Sequence, residues 1–274
     1  MTILLSYLKF HFHSKSEHGI HSPFIYDLVT KCFYNKTKYP EYIILKKYRK
    51  LLLENKNTIQ VTDFGAGSRI FKSNTRKINK IAKTAGITPK NAQLLFKITN
   101  YFQPENILEI GTSLGLATSA LSLGNQKAKI TSLEGCSNTL SVAKNQLQVS
   151  KINTENINFI NTEFTQYLKN CQLNTEHYNL IYFDGNHSKK ATLEYFESLL
   201  PTITNETLWL FDDIHWSKDM EEAWEIVKKH PKVKVTIDTF QWGIVFFRQE
   251  QEKEHFIINP NKTLSSFLFE KIKI

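Results

Sequence analysis

The chain has 274 residues, 41% of them hydrophobic, and a net charge of +9. It can bury a full core, so one large domain plus an extension is the expected layout, and no repeat or low-complexity tract points to a fibrous or disordered chain. The three cysteines, Cys32, Cys136 and Cys171, share no disulfide or metal spacing, which argues against a cysteine-stapled scaffold and fits a cytoplasmic protein.

Charge is unevenly shared. Residues 1–104 hold 18 Lys and Arg against 5 Asp and Glu, a net of +13, and the remainder carries −4. Nucleic acid, an anionic membrane or an acidic substrate could each use such a surface. The lysines are scattered along helical stretches, with only Arg49, Arg69 and Arg76 among them, so a soluble basic face is slightly favoured. The opening MTILLSYLKFHFH is too short and interrupted for a signal peptide or a membrane span. It predicts an amphipathic helix, with weak membrane-surface contact left open.

Ser22-Pro23 then reads as an N-cap and first-turn proline opening a helix through Leu28. The island His18–Phe24, with His11 and His13 before it, lacks the acids or cysteines of a metal site, which favours structural or substrate-contact histidines. Helical patterns follow over 41–53, 74–84 and 89–102. Between them, Val61-Thr62-Asp63-Phe64-Gly65-Ala66-Gly67-Ser68 resembles a nucleotide-binding turn but lacks a following apolar strand with a carboxylate at its tip. It is expected to close over a bound cofactor or to meet an anionic substrate group.

The most telling stretch is Ile107-Leu108-Glu109-Ile110-Gly111-Thr112-Ser113-Leu114-Gly115, a buried strand breaking into a glycine turn before a helix from Leu116 to Leu123. Two glycines four residues apart do not make the G-x-G-x-x-G dinucleotide fingerprint. Their missing Cβ atoms and the free N–H groups of the helix start are expected to face a nucleotide-like ligand. A second strand ends at Glu134, 23 residues past Gly111, where doubly wound folds place a ribose-binding acid. A helix (139–149) and a third strand (157–160) lead to Glu163, with Leu168 five residues on. The fourth strand (178–183) ends in Asp184-Gly185-Asn186-His187-Ser188, and the fifth (207–211) in Asp212-Asp213-Ile214-His215-Trp216. Three carboxylates converging from adjacent strand ends would repel one another without a cation between them, and hard oxygen ligands suit Mg²⁺. The plainer alternative is that Asp212 or Asp213 caps the helix at 218–229. Residues 233–238 and 242–247 form an alternating hairpin-like pair, and 249–274 either pack on the sheet or mediate dimerisation.

Glu109 with the G-x-x-x-G turn resembles the first motif of class I S-adenosylmethionine (SAM) methyltransferases. Glu163 takes the place of the acid in that family's G-D-A-x-x-x-L segment, which contacts the adenine amino group, although it is one methylene longer than the usual Asp. The D-G-x-H-S string followed by D-D after the next strand, within residues 105–248, is similar to the metal-dependent small-molecule O-methyltransferases acting on macrolide and aminocoumarin sugars. HGxHSPF paired with D-F-G-A-G-S resembles a bacterial branch of methyltransferases.

The resemblance implies a Rossmann-like, doubly wound α/β sheet of seven strands with an antiparallel last strand. It implies three parts: a helical extension (1–104), a SAM-binding domain (105–248) and a tail (249–274). The implied cofactor residues are Glu109, Gly111, Thr112, Ser113, Gly115, Glu134, Glu163 and Asp184, and the implied metal ligands are Asp184, Asp212 and Asp213. Some relatives have a second acid as general base where this chain has Asn186. The base is then His187, Lys189, His215, a metal-bound hydroxide, or absent.

The expected activity is O-methylation of a small-molecule hydroxyl, with Phe183 and Trp216 as candidate walls of the acceptor pocket. An RNA methyltransferase would use the basic region but lacks a (D/N)-P-P-(Y/F) turn. An oxidoreductase lacks the third glycine, and a silent SAM-binding protein would explain Asn186. Valine at Gly111 is expected to block the cofactor while leaving the fold intact.

Overall fold

A computed structural model describes residues 3–64, 73–171 and 177–261, with residues 170 and 171 described in backbone only. Short apolar runs ending in polar residues become the strands of one sheet. They are β1 (Asn106–Ile110), β2 (Lys129–Glu134), β3 (Ile157–Asn161), β4 (Leu180–Phe183), β5 (Leu208–Asp212), β6 (Val235–Asp238), β7 (Trp242–Phe246) and β8 (Glu254–Ile257). Their order is β8-β6-β7-β5-β4-β1-β2-β3. Only β7 runs antiparallel to its neighbours, β5 and β6.

The doubly wound architecture and the reversed seventh strand are as expected, but the sheet has eight strands rather than seven. Residues 254–257 extend it by pairing parallel to β6. Its burial pattern, exposed-exposed-buried-intermediate, lacks the alternation of a half-buried strand, which made it hard to separate from a charged tail.

Both faces of the sheet are covered, as near-continuous apolar parallel strands require. On one face Ile107, Ile130, Leu180, Leu208 and Ile244 pack with helices Leu116–Gly124, Pro89–Phe102 and Glu41–Glu54, and with Ile25 and Leu28 further upstream. On the other, Leu108, Ile110, Leu133, Ile181, Phe183 and Trp209 meet helices Phe164–Cys171, Lys189–Leu199 and Lys218–Lys229. Phe183 is therefore core, stacked on Phe211 at 4.2 Å, and does not wall a pocket.

The His18–Phe24 island serves the same packing. Ser22 Oγ accepts from the Ile25 N–H, and the Phe24 ring meets Phe246 at 5.0 Å beneath the Arg248 guanidinium. One upstream element differs from expectation. Thr75–Lys77 is a strand paired with Thr58–Gln60, and the helix begins only at Ile78. Gln60 Nε2 bonds Thr75 Oγ1 across this ladder, a tie between two short polar strands with no periodic apolar signal. The Gly65–Ser68 part of the glycine-rich segment and the end of the tail (262–274) lie outside the described residues.

Candidate functional site

Strand register sets the site. Ile110 lies opposite Leu133 and Phe183, Leu133 opposite Ile160, and Phe183 opposite Phe211. The next residue on each strand, in order across the sheet, is Asn161, Glu134, Gly111, Asp184 and Asp212. This row lies at the carboxyl ends of the parallel strands, the edge where open α/β sheets bind ligands. Over it opens a solvent-facing cleft with a cavity volume of about 190 Å³. Gly111, Ser113, Glu134, Glu163 and Asp184 all line it.

Glu134 is held by backbone. Its Oε2 accepts the Ser113 N–H and its Oε1 the Cys136 N–H, each at 2.8 Å. Burial raises its pKa while these bonds oppose the rise. Each oxygen keeps a lone pair for another donor, which suits adjacent ribose hydroxyls. Across the mouth the Phe64 ring lies against Gly135, where an added Cβ would come within 2.6 Å of it. Val61, Thr62, Asp63 and Arg76 complete that wall, with Arg76 Nη2 3.1 Å from Asp63 Oδ2. The described part of the second glycine segment thus stands over the cleft, and the Thr58–Gln60 strand is fixed there by Asn138 Nδ2 donating to Gln60 O at 2.8 Å.

Three residues expected at the cofactor lie beneath the turn instead. Glu109 is fully buried and accepts from Thr118 Oγ1 at 2.6 Å and Ser132 Oγ at 2.5 Å. Burial pushes its pKa up to about 7. Thr112 Oγ1 bonds Ser132 Oγ at 2.6 Å, and Gly115 begins the next helix in the left-handed region at φ +75°.

The glycines answer to the protein rather than to a ligand. A Cβ at Gly111 (φ +109°) would lie 2.3 Å from the Asp184 carbonyl oxygen, and one at Gly115 2.5 Å from the Tyr48 hydroxyl. Tyr48 is fully buried and donates to Leu114 O at 2.8 Å, so helix Glu41–Glu54 clamps the turn from below.

The acid-rich end is arranged differently. His187 Nε2 is 3.4 Å from Asp184 Oδ1. Burial lowers the imidazole pKa, but the Asp184 bond and the charges of Asp184, Asp213 and Asp212 more than offset this and lift it to about 9. Asp184 itself is pushed well above the carboxylate range, first by burial and then by Asp212. Asp213, at φ +56°, rises to about 6 for the same two reasons.

Gln241 Nε2 bridges the pair, donating to Asp212 Oδ1 at 2.8 Å and Asp213 Oδ1 at 2.5 Å, while Tyr182 OH donates to Asp212 Oδ2 at 3.0 Å. Neither acid caps the following helix; Ser217 does, accepting from Met220 N–H. Among the described residues no three His, Cys, Asp or Glu side chains stand together as a group that could hold a metal ion. Three of the four carboxylate oxygens of Asp212 and Asp213 already accept from Gln241 or Tyr182, so the pair as arranged does not fit one.

The other two candidate bases are engaged elsewhere. Lys189 Nζ pairs with Glu222 at 2.9 Å, and His215 bridges Glu221 at 3.1 Å and Asp238 at 2.9 Å, both beside a separate cavity under helix Ile3–His13. Sequence reasoning missed Arg76, Cys136, Tyr195 and Gln241. Gln241 sits in the β6–β7 turn after Phe240 (φ +72°), and no local pattern marks it as a neighbour of Asp212.

Residues 108–214 match the family described as a methyltransferase domain. The fold is that of a class I methyltransferase. A SAH-bound methyltransferase of Podospora anserina superposes with a TM-score of 0.58 at 13% identity, covering 84% of this chain and 97% of its own. A putative O-methyltransferase of Klebsiella pneumoniae gives 0.55 at 15%, covering 78% and 92%. An O-methyltransferase of Bacillus cereus in complex with SAH gives 0.53 at 14%, covering 77% and 92%. No curated protein matches the sequence.

Proposed function

We propose that this chain is a cytoplasmic SAM-dependent methyltransferase acting on a hydroxyl of a small molecule. The observation that carries the reading is the single cleft lined by Gly111, Ser113, Glu134, Glu163 and Asp184, with His187 beside Asp184 at its acidic end. SAM supplies a methyl group on a positively charged sulfur, so the protein's task is alignment and exclusion of water.

Glu134, made rigid by two backbone N–H groups, orients the ribose hydroxyls. Glu163 stands on the same wall for the adenine amino group, and Phe64 shields the mouth. At the far end His187 takes the proton of the attacking hydroxyl, and Asp184 steadies the imidazolium that forms. Of the three side chains weighed as base, His187 is the one adjoining a cleft residue.

The Mg²⁺ implied by the sequence resemblance, with Asp184, Asp212 and Asp213 as ligands, is left out of this proposal, because Gln241 bridges two of those acids. The basic first 104 residues support an RNA acceptor as the second reading, and a homodimer is compatible with either.

The test is methyl transfer from labelled SAM to a panel of phenols and sugars. Product with the wild type and loss of it in His187→Asn supports the proposal. Tight SAM binding with no transfer to any acceptor would favour a silent binding protein, and salt-sensitive transfer to RNA would favour the second reading.

A further inference from the structure

Helix Ile3–His13 turns its apolar side outward. Ile3, Leu4, Leu5, Tyr7, Leu8 and Phe12 are 44–67% exposed, whereas only Ser6 and Phe10 are buried. At 100° per residue, the buried pair spans a narrow stripe and the exposed apolar side chains sweep about 200° of the opposite side. Single exposed leucines need no explanation, but a contiguous patch of this kind marks an interaction surface.

The helix is nevertheless seated firmly. Phe240 packs edge-on to Tyr7 at 4.9 Å and against Phe10 at 5.5 Å. Ser6 Oγ donates to Glu221 at 2.6 Å, and just beyond the helix the Lys15 N–H donates to Ile257 O of β8 at 2.8 Å. Its apolar face is therefore presented by the fold.

Charge selects the occupant. The helix carries Lys9, His11 and His13 and no acid. The acids nearest to it on helix Lys218–Lys229 are already paired: Glu221 with His215, Glu222 with Lys189 and Glu225 with Lys228. A second copy would bring the same acid-free helix against this one, offering no carboxylate to Lys9. An anionic bilayer complements both the apolar arc and the acid-free helix that carries Lys9. Eleven residues extend only about 16 Å, against roughly 30 Å of hydrocarbon, and no described helix is long and apolar enough to cross a membrane.

We propose that helix Ile3–His13 lies in the headgroup layer of an anionic membrane and docks the protein there peripherally. The proposal is independent of the methyl-transfer reading. It would bring the bilayer beside the Phe240–Gln241 turn, and so next to Asp212 and Asp213.

The experiment is co-sedimentation of the full chain with vesicles of phosphatidylcholine alone and of phosphatidylcholine doped with phosphatidylglycerol. The wild type is expected to pellet with the doped vesicles, less so as salt rises. The double variant Leu4→Glu/Leu8→Glu, at two exposed positions, is expected to bind at least about tenfold more weakly with unchanged circular dichroism. A wild type that stays in solution with both vesicle types, or a double variant that pellets equally well, would overturn the proposal. A wild-type dimer that the same variant dissolves, without lipid binding, would assign the face to a second copy instead.

Discussion

At Glu134 one carboxylate is held by two backbone N–H groups, one from its own turn and one from the glycine turn of the neighbouring strand, whereas at the other end of the row three acids rely on side chains. Asp184 leans on His187, and Asp212 and Asp213 share the amide of Gln241, 28 residues beyond Asp213. Backbone donors are fixed by strand and turn geometry, so the first arrangement is pre-organised. The second is electrostatically tense: the Asp184 and Asp213 pKa values are raised, and the His187 pKa is raised with them. A binding half and a proton-handling half within one row is the division that methyl transfer to a hydroxyl requires.

The sharpest way to break this division is His187→Asn. It should lower kcat by about 10²- to 10⁴-fold and leave SAH affinity within about twofold, measured by turnover and calorimetry. Equal losses in both would erase the distinction between the halves. In the wild type the base works in its neutral form, and with a pKa of about 9 that form grows as pH rises. The rate should therefore climb through neutrality and level off near pH 9, and a flat profile would remove His187 from the role.

Gly111→Val sharpens the other side. Because its Cβ would strike the Asp184 carbonyl, thermal unfolding should shift down by about 10 °C or more. A native transition with SAH binding lost would return this glycine to the ligand-clearance role that its sequence suggested.

Glu109 makes a smaller, pH-dependent contribution. Its native pKa of about 7 exceeds the unfolded value of 4.5, so the folded state binds more protons between those values. Stability is then greatest below about pH 4.5 and is lost as pH rises to 7, by on the order of 2–3 kcal/mol. Glu109→Gln should flatten that slope in melts between pH 5 and 8, and an unchanged slope would assign it to other groups. The smallest expected effect is that of EDTA, which should leave turnover within about twofold. A rate abolished by EDTA and restored by Mg²⁺ would place an ion where Gln241 now bridges the acids.

What the sequence revealed follows the same division. Strand tips are read from where apolar runs stop, so Glu134, Glu163 and Asp184 were legible as neighbours once the doubly wound order was inferred. Whether Gly111 faces a ligand or a carbonyl was not, because the crowding atom belongs to Asp184, just past β4 and more than 70 residues away. Lys189 and His215 have the right chemistry within a few residues of the acids, yet their side chains leave on the far side of the helix starts to meet Glu222, Glu221 and Asp238. Gln241 had no signal at all, since a polar residue in a hairpin turn is ordinarily solvated. The eighth strand was hidden for a related reason: at the sheet's edge only Phe256 of its four residues is buried.

Calorimetric titration of SAH into the wild type and into Glu134→Gln bears most directly on the cleft. One saturable site is expected in the wild type, weakened about 10- to 100-fold in the variant by loss of a charged hydrogen-bond acceptor, with the melting temperature lowered by only a few degrees because the new amide nitrogen faces one of the two N–H donors. Undetectable binding to the wild type, or equal affinity in the two proteins, would contradict the placement of the nucleoside against this carboxylate.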